Sequence, residues 1–202
     1  MSIEHKVRLV EEIFSRLENE ITAFKSETTL HCRTGCGKCC STPDIVASPL
    51  EFLPWALHLF LNGKAEEMLA QLNNKSDSNC HLYRPLTVLD RNNGSCSNYR
   101  YRGLICRLFG YAASRDKYGK LRLATCKIIK EEQQKNYNDT EEAIRKGLYV
   151  PIFSDYYMQL TQIDNRLAPI LLPINEALKM AIEEVLHYYA YRPFPGDLAN
   201  IA

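Results

Sequence analysis

The segment that decides the fold reads CRTGCGKCC and occupies residues 32–40. It places four thiols within nine residues, and thiols this crowded oxidise readily unless a metal binds them. Thiolates are soft ligands that select zinc, copper(I) or iron–sulfur clusters. Glycines at positions 35 and 37 let the backbone turn tightly around a metal. The segment therefore predicts a metal centre.

The last two cysteines of this segment, Cys39 and Cys40, are neighbours in the chain. In an extended segment their side chains point to opposite sides, so both reach one small ion only if the backbone bends sharply. A polynuclear cluster accommodates the pair more easily; alternatively, each thiolate serves a different metal. Besides the four cysteines of this segment, the chain contains Cys80, Cys96, Cys106 and Cys126. The eight cysteines together allow two four-cysteine sites or one site with spare thiols. His31 and His81 each neighbour a cysteine and are alternative ligands.

The composition is that of a soluble globular protein. Hydrophobic residues make up 46% and charged residues 24% of the 202 positions, which excludes a largely disordered chain. The longest apolar stretch, residues 46–61, is interrupted by prolines and by Glu51, so we expect no membrane span. The first residues lack the features of a signal peptide. We therefore expect a cytoplasmic protein, in which crowded cysteines indicate metal or redox chemistry rather than disulfides.

The charge is unevenly distributed along the chain. A formal net charge of +1 argues against nucleic acid as a partner. Residues 91–130, however, contain ten Lys and Arg and a single acidic residue, Asp116. Because Cys96, Cys106 and Cys126 lie in the same stretch, we expect these cations to stabilise ionised thiolates. A solvated basic face and a site for an anionic partner are the alternatives.

Periodic apolar residues predict helices at both ends of the chain. In residues 3–24 they recur at spacings of three and four, which indicates an amphipathic helix that packs within the chain or against a protein partner. Ser48 and Glu51 form a capping-box pattern for a second helix that reaches about residue 61, and Pro54 kinks it or shifts its start. The other predicted helices cover residues 65–72, 152–163 and 173–191, and one begins at residue 139.

Turn-forming residues predict two antiparallel hairpins, residues 86–89 with 96–99 and residues 111–114 with 121–124. The sequence thus predicts a mainly helical α+β fold, with an N-terminal amphipathic helix, small antiparallel β hairpins in the middle that carry a metal centre, and C-terminal helices. We expect a single metal-binding domain over residues 1–202. Its parts are a helical arm at 1–30, a cysteine-containing core at 31–130 and the C-terminal helices at 131–202.

A longer pattern runs through this core. It reads Cys32-x3-Cys36-Gly37-x-Cys39-Cys40, then Ser48-x2-Glu51, then Cys80, then Gly94-Ser95-Cys96-x2-Tyr99-x2-Arg102-Gly103-x2-Cys106-Arg107. In order and spacing it resembles the CxxCxxCC family, the YkgJ-type cysteine-cluster proteins. Two features depart from the family pattern: the first gap has three residues instead of two, and Gly103 stands where the family has proline. The resemblance implies a zinc- or iron-chelating domain.

The resemblance also implies which residues hold the metal. These candidates are Cys32, Cys36, Cys39, Cys40, Cys80, Cys96 and Cys106. We add Cys126 because of its place in the basic stretch. Tyr99, Arg102 and Arg107 are candidate cofactor-binding residues around the metal, since arginine can hydrogen-bond thiolate or sulfide and offset its charge.

Three functions fit these observations. The first is a metalloprotein that holds an iron–sulfur cluster of the [4Fe-4S] type, or zinc, and acts in metal handling, redox chemistry or regulation. The cysteine block is also similar to that of flagellin lysine N-methylase, which implies an iron–sulfur-dependent protein lysine N-methyltransferase that uses S-adenosylmethionine. The spacing of Cys32, Cys36 and Cys39 resembles the radical S-adenosylmethionine motif, but the alternating strands and helices of that barrel are missing. The third function is a structural zinc module that contacts a protein partner through the 3–24 helix.

Overall fold

The computed structural model describes residues 1–32, 35–42, 44–86 and 93–194. Helix α1 spans Ile3–Glu27 and begins after Ser2, whose hydroxyl accepts the N–H of His5. Its apolar stripe is buried against other helices of the same chain, which confirms the predicted amphipathic helix. The buried positions are Ile3, Val7, Val10, Ile13, Phe14, Leu17, Ile21 and Phe24. A protein partner of α1 would meet the polar face, and such a partner stays a prediction.

The core of the molecule is made by helices. Helix α2 (Leu53–Leu61) packs against α1, α3 (Ala65–Asn73) and α8 (Ile174–Tyr189), and α7 (Phe153–Ile163) packs against α1. Because α2 is apolar on almost every side, it is buried all round, and Trp55 is only 1% exposed. In the part of the chain that the structure describes, no helix combines the length and the apolar character that crossing a membrane requires.

The capping box before α2 forms as predicted. The Ser48 hydroxyl accepts an N–H of the first turn, and the Glu51 carboxylate accepts the Ser48 N–H at 2.8 Å. This first turn, Pro49–Phe52, is a 3-10 helix, and the regular α-helix begins only at Leu53. Pro54 accounts for the shifted start, because a residue without an N–H is best tolerated in the first turn of an α-helix.

Short antiparallel strand pairs connect the helices. They are β1 (Val46–Ala47) with β6 (Leu172–Pro173), β2 (Tyr83–Pro85) with β3 (Gly94–Cys96), and β4 (Ala113–Arg115) with β5 (Leu121–Leu123). The register places Tyr83 opposite Cys96 and Ala113 opposite Leu123. The fold is therefore mainly helical α+β with small antiparallel pairs, as the sequence predicts.

The first predicted hairpin is displaced along the chain. We expected residues 86–89 to pair with 96–99, whereas residues 83–85 pair with 94–96 and a 3-10 turn covers 99–101. Gly94 suits the observed register, because a Cβ there would lie 2.4 Å from the ring of Tyr83. Residues 87–92, which include most of the predicted first strand and its turn, lie outside the described residues. The second predicted hairpin is confirmed by β4 and β5.

Two short helices that we did not predict lie beside the predicted hairpins. They are α4 (Leu104–Leu108) and α5 (Lys127–Glu132), and both are short enough that their formation depends on the tertiary contacts described below. Helix α6 spans Gln134–Arg145 and so begins before the predicted residue 139. Helices α7 and α8 confirm the two predictions for the C-terminal part.

Candidate metal centre

Seven of the eight cysteines line one cavity of about 170 Å³. They come from segments far apart in the chain: Cys32, Cys36, Cys39, Cys40, Cys80, Cys106 and Cys126. Apolar side chains such as Ile105 and Phe109 form much of the remaining wall, and Lys38 and Arg102 supply its cations. Cys96 does not line the cavity, although its charge acts on the thiols of Cys80 and Cys106.

Two glycines shape the loop that carries the first cysteines. Gly35 and Gly37 have φ angles of +72° and +58°, which residues other than glycine rarely adopt. A Cβ at Gly37 would lie 2.4 Å from a ring carbon of Tyr83 and 3.1 Å from the backbone of Gly94. The Gly94 N–H also donates to the Gly35 carbonyl at 2.8 Å. The loop thus lies directly against the β2–β3 hairpin, and this contact brings Cys36 and Cys39 towards Cys80.

Backbone groups hold several of the thiols in place. The Cys80 N–H donates to the Cys40 carbonyl at 3.0 Å, which ties the two segments together. The sulfur of Cys80 accepts backbone N–H groups from the two residues 82 and 83, and the sulfur of Cys96 accepts one from Asn98. Cys126 caps α5, where its sulfur accepts the Ile129 N–H at 3.5 Å. Hydrogen bonds to sulfur favour the thiolate and thus suit metal ligands.

Cys106 is positioned through the buried carboxylate of Glu51. Glu51 is 1% exposed and accepts the N–H of Ile105 at 3.0 Å, so it holds the first turn of α4 in place. Burial raises the pKa of Glu51 to about 7. Gly103 has a φ of −66°, which proline could also adopt. A Cβ there would, however, lie 2.8 Å from Glu51 Oε2 and from the ring of Phe52, which explains the departure from the family pattern.

The cavity makes most of the thiols difficult to ionise. Burial raises the pKa of Cys80 to about 11 and raises the pKa values of Cys32, Cys96 and Cys106. Cys39 is different, because a hydrogen bond from the Cys40 thiol lowers the pKa of Cys39. The same hydrogen bond raises the pKa of Cys40. A metal that binds here would have to displace protons from most of these thiols, which makes its affinity depend on pH.

The sulfurs surround the cavity but do not converge on one point. Across residues 1–32, 35–42, 44–86 and 93–194, no three His, Cys, Asp or Glu side chains are arranged so that they could hold a metal ion. All eight cysteines are thiols rather than disulfides. The structure thus places most predicted ligands around one space, while the coordination geometry of the predicted metal centre is not formed.

The three predicted cofactor-binding residues have different positions. Tyr99 and Arg102 line the cavity, and Arg102 also donates to Tyr99 and to Glu18. The Nε of Arg102 is buried and has no hydrogen-bond partner among the described residues. Arg107 does not reach the cavity; its guanidinium donates to the carbonyls of Arg100 and Arg102 and to Glu18. Arg107 therefore fixes the turn at residues 99–101 against α1.

The basic stretch surrounds the thiols less closely than we expected. Of its described cations, Arg102 is the one that lines the cavity. Arg115, Lys117 and Lys120 are exposed on the β4–β5 hairpin. Lys38, from outside this stretch, supplies the second cation of the wall. The expectation that the whole stretch stabilises thiolates is therefore wrong for the hairpin residues, which the hairpin carries into solvent.

Some positioning residues could not be found in the sequence. The Tyr111 hydroxyl accepts the Cys32 N–H at 3.0 Å, and the Gln133 side chain bonds both the N–H and the carbonyl of His31. These partners are 79 and 102 residues apart, so no local pattern signals them. Neither His31 nor His81 lines the cavity. The described contacts thus give no support to histidine ligands at this site.

Comparison with known proteins agrees with the cysteine pattern. A model of the CxxCxxCC family, described as a "putative zinc- or iron-chelating domain", matches residues 31–143, more than half of the chain. No curated protein and no solved structure matches the chain significantly. The matched residues contain all eight cysteines, and they include the loop, the β2–β3 hairpin, α4 and α5 that form the cavity.

Proposed function

The chain belongs to the CxxCxxCC family of zinc- or iron-chelating domains, and from that premise we propose that its cysteine cavity binds a thiolate-ligated metal, with an iron–sulfur cluster favoured over zinc. The observation that carries the proposal is the convergence of seven cysteines from distant segments on one cavity. Buried cysteines of a reduced protein are otherwise scattered small hydrophobic residues. Soft thiolate donors select zinc or iron–sulfur clusters among biological metals.

The size and the charge of the cavity favour a cluster. Its volume of about 170 Å³ is roughly ten times the ~10–15 Å³ of the smallest cavity that holds one water, so it has room for more than a single ion. A cluster ligated by four thiolates carries net negative charge, and the unpartnered Nε of Arg102 and the ammonium of Lys38 can offset it. The neighbouring Cys39 and Cys40 would then reach different metal atoms.

Exposure at the mouth of the cavity supports a role in metal handling or redox regulation. Cys32 and Cys39 are exposed, whereas Cys36 and Cys80 are buried. A structural zinc site has all four of its coordination positions filled by protein ligands, so it exchanges its metal slowly. Exposed ligands allow an acceptor molecule or an oxidant to reach the centre. Such a role fits the cytoplasm, where these thiols would stay reduced.

A methyltransferase is the second candidate, and one feature favours it. An open groove of about 450 Å³ lies beside the cysteine cavity and shares Tyr99 and Arg102 with it. Its opposite wall comes from α1, including Ser15 and Asn19. A substrate bound there would lie next to the metal. The test is to measure binding of S-adenosylmethionine to the cluster-loaded protein by equilibrium dialysis. If the loaded protein does not bind S-adenosylmethionine, this candidate is excluded.

The structural zinc module is less well supported. It needs α1 to contact a partner through its polar face, because the apolar stripe of α1 is buried within the chain. A zinc site without a partner-binding helix would still be compatible with the cavity. Metal analysis decides between zinc and a cluster.

The test of the proposal is anaerobic purification, followed by a visible spectrum and by iron, sulfide and zinc analysis. We expect a brown protein whose iron is matched by sulfide. Cys40→Ser should lower the iron content, whereas Ser41→Ala, a matched change at the next residue, should leave it unchanged. A colourless protein with stoichiometric zinc would overturn the cluster but keep the metal site. A protein without metal, both as purified and after reconstitution, would overturn the proposal as a whole.

A further inference from the structure

The β4–β5 hairpin carries a cluster of exposed cations. Four of them lie within eight residues: Arg115, Lys117, Lys120 and Arg122. Asp116 is the one acidic residue of the hairpin. The rest of the chain is net acidic, because residues 91–130 hold ten cations and one acidic residue within a total charge of only +1. This surface therefore attracts a negatively charged partner.

Most of the positive charge of the hairpin is not neutralised within the chain. The Asp116 carboxylate lies 3.5 Å from the Arg122 guanidinium, which also lies 3.4 Å from the carboxylate of Glu141. In the described part of the chain, the other three cations of the hairpin have no carboxylate within ion-pair distance. Their charges remain available to a second molecule.

The turn that presents these cations is held in one conformation. Asp116 Oδ1 accepts the N–H groups of Tyr118 at 2.9 Å and of Lys120 at 3.0 Å. The Asp116 N–H donates to the Lys120 carbonyl at 2.8 Å. Tyr118 is 74% exposed, and the Lys117 ammonium lies 4.9 Å from the centre of its ring. A fixed turn costs little ordering entropy on binding, and tyrosine is enriched in protein interfaces.

The hairpin projects from the wall of the cysteine cavity. Tyr111 precedes β4 and Cys126 follows β5, and both residues line the cavity. The two chain segments stay paired up to this wall, because the Gly110 N–H donates to the Ala124 carbonyl at 2.8 Å. Lys120 precedes Cys126 by six residues, which span at most about 20 Å at ~3.3 Å per residue. A partner docked on the hairpin therefore lies beside the thiols.

The distribution of charge favours a protein over a nucleic acid as this partner. A nucleic acid carries a negative charge on every nucleotide, so a strand longer than the hairpin would meet acidic residues next to it. Glu141 lies at β5, where it accepts the Leu123 N–H, and Glu131 and Glu132 belong to α5. An acidic protein segment can confine its charge to the few residues that contact the hairpin.

We propose that the β4–β5 hairpin is a docking surface for an acidic segment of a partner protein, and that it brings this partner to the cysteine cavity. Complementary charge accelerates the encounter and fixes its orientation. Because the cations are exposed, salt screens them and weakens the complex. The inference goes beyond the proposed function and does not require a metal in the cavity, so the two are tested separately.

Fluorescence anisotropy of a labelled decaglutamate peptide, titrated with the anaerobically purified full chain, tests the surface. We expect binding at low salt that weakens as salt is added. Lys120→Glu should weaken it at least about fivefold, because one attraction becomes a repulsion. Lys64→Glu makes the same charge change at an exposed residue before α3, which packs against α2 and α8, whereas the hairpin packs against α6 and α7. Absence of peptide binding, or equal weakening by both substitutions, would overturn the inference.

Carbodiimide cross-linking locates the bound peptide, because it joins a carboxylate to a nearby ammonium as an amide. Mass spectrometry should find the peptide on Lys117 and Lys120. Cross-links spread evenly over the exposed lysines of the chain would refute the docking surface. The same anisotropy titration with a labelled ten-nucleotide oligothymidylate compares the two classes of partner. We expect it to bind more weakly than the peptide; tighter binding would indicate a nucleic-acid partner and overturn the inference.

Discussion

At the scale of single residues, the position of the cysteine loop depends on Gly37. Its φ of +58° and the 2.4 Å that would separate a Cβ from the Tyr83 ring leave no room for another residue. The loop carries Cys36 on one side of this glycine and Cys39 on the other. A change at Gly37 therefore moves Cys36 and Cys39 relative to the β2–β3 hairpin.

We predict that Gly37→Ala lowers the free energy of unfolding by about 2–4 kcal/mol, from backbone strain plus overpacking. Gly63→Ala is the matched control, because Gly63 has a φ of +64° but nothing within 4 Å of its added Cβ. The free energy of unfolding of Gly63→Ala should fall by only about 1 kcal/mol, which is the cost of the left-handed conformation for alanine. Urea unfolding of both variants measures the difference. Equal losses would mean that the close contact with Tyr83 does not matter.

A second residue-scale prediction concerns Glu51 and pH. Burial raises the pKa of Glu51 to about 7 from its usual 4.5, so the folded state holds the proton more tightly than the unfolded state does. The stabilisation from this proton is complete below pH 4.5 and disappears as the pH rises through 7. Between pH 5 and pH 8 the free energy of unfolding of the unaltered protein should fall by roughly 2–3 kcal/mol more than that of Glu51→Gln. Urea unfolding at both pH values checks this, and parallel losses in the two proteins would refute it.

At the scale of secondary-structure elements, two arginines close in sequence have different tasks. Arg107 joins α4 and the 99–101 turn to α1, and its side chain is 10% exposed. Arg102 lies in the cavity wall with an unpartnered Nε. The sequence alone treats both as residues around the metal. The structure separates an element-joining arginine from one that can contact a bound metal centre.

Arg107→Gln should lower the free energy of unfolding by about 2–3 kcal/mol, since it leaves the part-buried carbonyls of Arg100 and Arg102 without their charged donor. Its metal content per folded chain should remain unchanged. Arg102→Gln should show the reverse. Its free energy of unfolding should fall by at most about 1 kcal/mol, because the Glu18 partner of Arg102 is partly exposed. It should retain less metal than the unaltered protein on anaerobic gel filtration. Thermal unfolding and metal analysis of both variants provide the test. Loss of metal in both to the same extent would contradict the division of roles.

The elements that the sequence predicts correctly are those with local causes. The stripe of α1, the capping box at Ser48 and the β4–β5 hairpin each follow from neighbouring residues. Helix α4 was missed because its first turn is held by Glu51, which lies 54 residues away from Ile105. The pairing of Cys80 with the Cys40 carbonyl and of Gln133 with His31 is also long-range. The cysteines themselves were recognisable from their spacing, whereas the arrangement of seven of them around one cavity depends on these tertiary contacts.

At the scale of the whole molecule, the helical core does not depend on the cysteines for most of its contacts. Helix α2 packs directly against both α1 and α8, and Leu17, Trp55 and Ile182 are among the buried residues of this core. The smaller cluster around Ile129 is different, because Cys126 caps α5. Metal should therefore stabilise the two parts of the molecule unequally.

Removing the metal should lower the melting temperature but leave most of the helical circular dichroism at 25 °C. Proteins that owe their core to the metal unfold completely on chelation, as zinc fingers do. Hydrogen exchange would show the difference locally, with α5 and the β4–β5 hairpin losing protection before α2 and α8. Complete loss of the helical signal on chelation would contradict this description of the core.

X-ray absorption spectroscopy at the metal edge of the anaerobically purified protein tests most directly whether the cysteine cavity holds the metal. We predict a first shell of sulfur atoms, at about 2.3 Å for either zinc or iron thiolates. A cluster would add a short metal–metal distance that a lone zinc ion lacks. A first shell made mainly of nitrogen or oxygen would contradict the account, because the residues that line the cavity offer few such ligands.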